Sequence, residues 1–157
     1  MDGYGDPYKD FMRDLAFASR SMRTCFELRL KRHDLTLARG RILLYLASAE
    51  RPMSQAELTT LLEVEHSTAV RLFDSLEQIG YITRLPSASD RRAKDIALTD
   101  KGRPIAATVQ RVIDDMRDDV LRGIDPADLA IADRVLNQVT RNLTGLAAAQ
   151  PEAEPVS

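Results

Sequence analysis

SQAELTTLLEVEHSTAVRLFDSLEQIGYITRLPSASDRRAKDIALTDKG, residues 54–102, carries the signals that decide the fold. It opens with Ser54-Gln55-Ala56-Glu57, the form of a capping box in which serine and glutamate reciprocally satisfy first-turn amides. A short helix is therefore expected to about Leu62. A second helix is expected over residues 66–79, with Ala69, Leu72, Phe73, Leu76 and Ile79 on its apolar face. Thr68, Arg71, Ser75 and Gln78 fall on the other face, and Gly80, a residue free to take positive φ, ends the helix. Residues 81–85 and 94–98 read as two short strands joined by the loop 86–93. That loop sets two adjacent guanidinium groups, Arg91 and Arg92, at the tip of a hairpin in a chain of formal charge -2.

Outward from this stretch the pattern becomes long amphipathic helices. Residues 8–32 carry Phe11, Leu15, Ala18, Met22 and Phe26 as one stripe. Asp34-Leu35-Thr36 breaks it, Thr36 caps a helix through Ile42, Leu43 and Leu46, and Arg51-Pro52 is a connector. Thr99 opens a long helix with Ile105, Val109, Val112, Met116 and Val120 on one side. Asp125-Pro126 restarts the chain, since aspartate caps well and proline suits the first helical position. Leu129, Ala132, Leu136, Val139, Leu143 and Leu146 then form a further stripe. These stripes exceed what the central unit can cover. A monomeric bundle would hide them; a two-fold interface does so more commonly, and a homodimer is expected. The expected organisation is dimerisation helices over 8–34 and 103–148, a winged unit over 35–102 and a disordered tail over 149–157.

Composition sets the outer limits. The chain has 157 residues, 44% hydrophobic and 29% charged, so one domain with a core is expected, alone or with a dimerisation element. It has no Trp, and the lone Cys25 fits a reducing cytoplasm. The longest apolar run, 42–47, is far too short for a membrane span, and no signal segment is visible, so a cytoplasmic chain with no membrane partner is expected. Residues 84–103 hold six basic groups against three acidic, whereas 105–157 hold nine acidic against five basic. A local basic patch on an acidic body is compatible with DNA binding.

Three helices followed by a hairpin is the winged helix-turn-helix arrangement, within a mainly α (α+β) fold whose long flanking helices form a dimerisation domain. The polar face of the third helix enters the major groove amino end first, and the hairpin reaches the flanking minor groove, where arginine suits the narrow, negative A·T-rich site. Spacing alone makes His66, Ser67 and Thr68 candidate base or phosphate contacts. Ser54 and Gln55 offer a helix amino terminus to a phosphate, and Arg84 and Lys94 are further candidate phosphate contacts. Double-stranded DNA is the expected partner.

LTLARGRILLYL, the Ser54–Ile82 stretch and SASDRRAKDIALTDKG together resemble the MarR family of bacterial transcription regulators, its SlyA-like branch most of all. The resemblance is dense over about 35–102 and diffuse in the outer helices; Asp-x-Arg followed by Leu-Thr-x-x-Gly is its specific part. It implies that Arg71 reaches base edges in the major groove, that Arg92 enters the minor groove and that Asp90 braces it. Arg91 shares the minor-groove role or binds phosphate. It also implies an operator-binding regulator, repressor or activator, nucleoid-associated when DNA-bound and modulated by a small aromatic carboxylate. The ligand-binding residues are left unassigned. Relatives often carry an aromatic residue where this chain has Gly40, close to the cleft that takes phenolic carboxylates in similar proteins, so the pocket is expected to be enlarged or abolished.

Other classes lack their constellation. His33 and His66 lie in different elements, no Cys/His spacing fits zinc, and no Gly-rich loop or Gly-x-Ser-x-Gly is present, so neither an enzyme, a metal nor a cofactor is expected. Asp114, Asp115, Asp118 and Asp119 read as a solvated face. Cys25 lies near the end of the first helix, away from the position of redox-sensing cysteines in relatives, and reads as a buried, inert thiol. A winged-helix protein-interaction module without DNA readout is the alternative, and it predicts an acidic or apolar recognition face.

Overall fold

The computed structural model describes residues 6–87 and 93–149, and the chain divides into two compact units, 1–117 and 118–157. In the first unit, α1 spans Pro7–Lys31, α2 Leu37–Ser48, α3 Gln55–Leu62 and α4 His66–Gln78, and α5 begins at Gly102 and runs to Val120. Local chemistry sets each start. Asp6 accepts a hydrogen bond from the Tyr8 amide at 3.0 Å with Pro7 in the first turn, and Thr36 accepts from the Arg39 amide at 3.3 Å. Gly80, at φ 81°, turns the chain out of α4.

The sheet corrects the expectation of two strands. β1 (Met53–Ser54), β2 (Ile82–Pro86) and β3 (Lys94–Leu98) form an antiparallel sheet in the order β1-β3-β2, with Met53 opposite Ile96 and Ile82 opposite Leu98. The connector at Arg51-Pro52 leads directly into β1. A two-residue strand offers no alternation to read, and only its pairing with β3 defines it.

One core joins these elements. Leu30 of α1, Ile42 and Leu43 of α2, Leu58 of α3, Phe73 and Leu76 of α4, Ile82 and Ile96 of the sheet and Val109 of α5 are fully buried. The stripe of α1 enters this core only at its end. Phe26 is 9% exposed, while Phe11 at 39% and Met22 at 51% face outward with Tyr8 and Phe17. Cys25 is half-buried rather than buried.

In the second unit, α6 spans Pro126–Ala149, and Asp125 accepts from the Ala127 amide at 2.7 Å, the cap expected there. Leu129 and Val139 are half-buried, and Ile131, Leu136, Leu143 and Leu146 are exposed. The tail expected to be disordered lies outside the described residues beyond position 149.

The step from β3 into α5 is the tightest point of the fold. The Thr99 hydroxyl donates to the Gly80 carbonyl at 2.6 Å and accepts from the Gly102 amide at 3.0 Å, and the Thr99 amide donates to the Tyr81 carbonyl at 3.1 Å. A Cβ on Gly102 would lie 1.9 Å from that Tyr81 oxygen. Gly102→Ala is therefore expected to destabilise the protein by about 1–3 kcal/mol or more, as overpacking against fixed atoms does. Thermal unfolding beside the wild type checks this, and an unchanged melting temperature would contradict the packing account.

Candidate nucleic-acid interface

Helix α4 is oriented by its apolar side. Ala69, Phe73 and Leu76 are buried, so Ser67, Thr68 and Arg71 project to solvent, with His66 exposed at the amino end. No side chain caps this end; the Thr68 and Ala69 amides each donate to the Glu65 carbonyl at 3.0 Å. Arg71 is exposed, and no hydrogen bond or ion pair ties it to another described residue. A free fork of five donors on an exposed helix face suits planar acceptors such as guanine or phosphate.

The other arginines around α4 are committed. Arg84 of β2 donates from Nη2 to Asp74 Oδ1 at 2.6 Å and from Nη1 to Glu77, both on α4, while its amide donates to Glu77 Oε1 at 3.2 Å. Its side chain is 19% exposed. Burial disfavours the charge, but the Asp74 and Glu77 carboxylates outweigh burial and raise the guanidinium pKa. Arg84 therefore fastens strand to helix instead of facing outward as a phosphate contact would. Arg39 of α2 donates to the Ser75 hydroxyl, which draws Ser75 away from the solvent face expected for it. Lys101 donates to the Ile79 carbonyl at 2.7 Å and lies 5.5 Å from the Tyr81 ring centroid, closing the carboxyl end of α4 with a cation.

The amino end of α3 carries its own charges. Ser54 Oγ accepts from the Glu57 amide at 3.2 Å and Glu57 Oε2 accepts from the Ser54 amide at 2.7 Å, the reciprocal box expected from the sequence. Arg51 reaches Glu57 Oε1 at 2.5 Å. The Arg51 hydrogen bond and then the Ser54 amide hold the Glu57 carboxyl at about 2, far below its ordinary 4.5. A phosphate approaching Ser54 or Gln55 thus meets a carboxylate already at the helix end, balanced by exposed Arg51. In the sequence Arg51 belongs to a connector, and its pairing partner six residues away matches no helical spacing.

At the wing, the Ser87 amide donates to the Ala93 carbonyl at 3.2 Å, closing the base of the loop, and Lys94 is exposed at the start of β3. Asp90, Arg91 and Arg92 lie outside the described residues. Among the described residues no group of three or more His, Cys, Asp or Glu side chains could hold a metal ion.

A cleft of about 660 Å³ opens elsewhere in the first unit, lined by Arg23, Glu27 and Lys31 of α1 together with Arg41, Leu62 and Glu63. Gly40 does not enlarge it. A Cβ at Gly40 would lie 3.0 Å from Leu30 Cδ1 and 3.4 Å from Val109 Cγ1, so core side chains fill the space beside Gly40.

The Glu57 carboxyl ties stability to pH. Its folded pKa is depressed, so its stabilisation is present above the unfolded value near 4.5 and is lost as pH falls toward about 2. Acid unfolding followed by circular dichroism is expected to lose part of its slope in that window in Glu57→Gln; identical acid limbs would show that the carboxylate contributes nothing.

Comparison with known proteins agrees with this geometry. Residues 33–93 match the sequence pattern of the MarR family. Transcriptional regulator PA3341 is 38% identical, with 86% of this chain and 98% of that chain covered and a TM-score of 0.76. The transcriptional regulator SlyA is 23% identical, with 87% and 95% covered and a TM-score of 0.72. A MarR variant from E. coli complexed with operator DNA is 21% identical, with 86% and 99% covered and a TM-score of 0.72. The last two likenesses show the winged fold.

Proposed function

The chain belongs to the MarR family of DNA-binding transcription regulators, which are not enzymes, and on that premise we propose that it reads a pseudopalindromic operator as a homodimer. The observation that carries the reading is Arg71, exposed on α4 and without a partner among the described residues, while Arg84 and Arg39 are paired to other residues of α4. Arg71 contacts base edges in the major groove, and Ser67, Thr68 and His66 contact bases or phosphates around the helix amino end. Arg92 enters the flanking minor groove, braced by Asp90, with Arg91 beside it. Lys94 and Arg51 meet the backbone, and Arg84 acts by holding the wing against α4.

Two recognition helices entering successive major grooves need a two-fold partner and a spacing of roughly 34–36 Å, one helical turn. Apolar residues exposed on α1 (Phe11, Phe17, Met22) and on α6 (Leu136, Leu143, Leu146) support that partner. Light scattering is expected to give twice the 17.5 kDa of one chain, and Leu143→Glu to shift the mass toward one chain. A monomeric wild type would sink the dimer.

The cleft, with Arg23, Lys31 and Arg41 among its lining residues, supports a small aromatic carboxylate as effector. Its location in the fold supports regulation by a shift between DNA-competent and incompetent arrangements. Among the described residues no helix is long and apolar enough to cross a membrane, and the proposed site of action is the cytoplasm, on the nucleoid when DNA-bound.

Fluorescence anisotropy on DNA from the chain's own upstream region, over a salt series, tests the reading. Arg71→Ala is expected to cost about 1–3 kcal/mol and relax sequence preference, whereas Arg92→Ala weakens binding to flanking A·T-rich positions. Wild-type behaviour in both variants would point to the protein-interaction module instead. Salicylate added to the same assay is expected to weaken binding; no effect there or on the melting temperature would end the effector reading.

A further inference from the structure

One side chain belongs both to the cleft and to the helix-turn-helix. Arg41, on α2, donates from Nη2 to the Leu61 carbonyl at 2.7 Å and to the Tyr45 hydroxyl at 3.0 Å, and from Nη1 to the Leu62 carbonyl at 3.3 Å. The Tyr45 hydroxyl donates to the same Leu61 carbonyl at 3.2 Å. Leu61 and Leu62 are the last residues of α3, where carbonyls lack intrahelical partners and the helix dipole presents its negative end. The chain then turns through Glu63, which sits in the left-handed region at φ 56°, ψ 43° without being glycine. That turn leads into α4. Arg41, Leu62 and Glu63 line the cleft together with Arg23 and Lys31.

We propose that Arg41 couples the cleft to the recognition helix: with the cleft empty it fastens the carboxyl end of α3, and a small carboxylate entering the cleft draws the guanidinium away from Leu61 and Leu62. The ligand half rests on the effector reading above, while the fastening half rests on the hydrogen bonds alone. Both Nη atoms are engaged at α3, so a bidentate carboxylate is met only by turning the fork. The exchange sets a full negative charge, matched bidentately to the planar fork, against the carbonyl dipoles that the guanidinium leaves. Once released, the Leu62 carbonyl loses its donor and the Leu61 carbonyl keeps only the Tyr45 hydroxyl, beside a turn already held in an unfavourable conformation, and the amino end of α4 loses support. By linkage, a ligand that prefers the unfastened state weakens DNA binding, and DNA weakens the ligand by the same factor.

Hydrogen–deuterium exchange on the full-length protein, with operator anisotropy alongside, tests this in wild type, Arg41→Gln and Arg41→Lys, with and without salicylate. Without ligand, Arg41→Gln is expected to raise exchange several-fold at residues 60–66, to leave β2 and β3 unchanged and to weaken DNA binding. Salicylate should produce the same local pattern in the wild type and nothing further in Arg41→Gln. Arg41→Lys keeps a cation able to reach one carbonyl but not a bidentate fork, so it should retain most of the protection and lose most of the salicylate response. Equal exchange at 60–66 in wild type and Arg41→Gln overturns the proposal, as does a rise spread over every element or an equal salicylate response in the two proteins. Salicylate silent on the wild type in both readouts sinks the effector reading alone, and the ligand-free comparison then decides the role of Arg41. Should Arg41→Gln show no cooperative melt, Tyr45→Phe takes its place, since it removes a bond to the same Leu61 carbonyl.

Discussion

The Tyr81 carbonyl stands where any side chain at position 102 would have to go. That close approach lets one short segment serve three elements, because the chain leaving α4, the strand arriving from the wing and the first turn of α5 all converge on it. Thr99 ties the segment to both Gly80 and Tyr81, and Lys101 closes α4 at Ile79. The direction of Arg71 follows from this anchor. A helix fixed at its carboxyl end and buried along Ala69, Phe73 and Leu76 has only one face left for solvent.

Charge is divided around that face according to what each arginine touches. Arg84 is largely buried between two carboxylates of α4, where loss of the guanidinium would leave both acids without their cation. Arg51 pairs with Glu57 in solvent, a geometry of modest energetic weight. Arg41 and Arg39 engage a helix end and a hydroxyl. A protein with formal charge -2 can thus offer a local cation without a basic composition, because Arg84 engages the acids of α4 and Arg71 is left without a partner among the described residues.

Features made by near neighbours in sequence were legible. The capping box at Ser54, the caps at Thr36 and Asp125 and the turn at Gly80 each involve partners within about one helical turn, and each stands where the pattern put it. The apolar face of α4 was legible too, because helical periodicity survives burial. What escaped depends on distant partners. β1 exists only by pairing with Ile96, more than forty residues on. Arg84 read as a free cation because its acids lie seven and ten residues away, on another element. At Gly40 the sequence left an enlarged or an abolished pocket open, because the neighbours that pack there, Leu30 and Val109, come from other helices. The stripe of α1 was correct as periodicity, but its first turns remain exposed, since periodicity names a face and not what covers it.

The two ends of α4 are built to opposite specifications. At the carboxyl end an ammonium, a hydroxyl and a missing Cβ rivet the helix to its neighbours. The approach to the amino end passes through Glu63, a left-handed residue whose conformation costs roughly 1–2 kcal/mol relative to the right-handed one. A displacement at the amino end would turn such a rod about its rivet. A small displacement at the sprung end becomes a change of angle for every side chain along the rod, largest for His66, Ser67 and Thr68 and smallest beside Ile79. The helix is in that sense a lever with its fulcrum at the Thr99–Gly102 junction, and leverage falls on the residues nearest its free end.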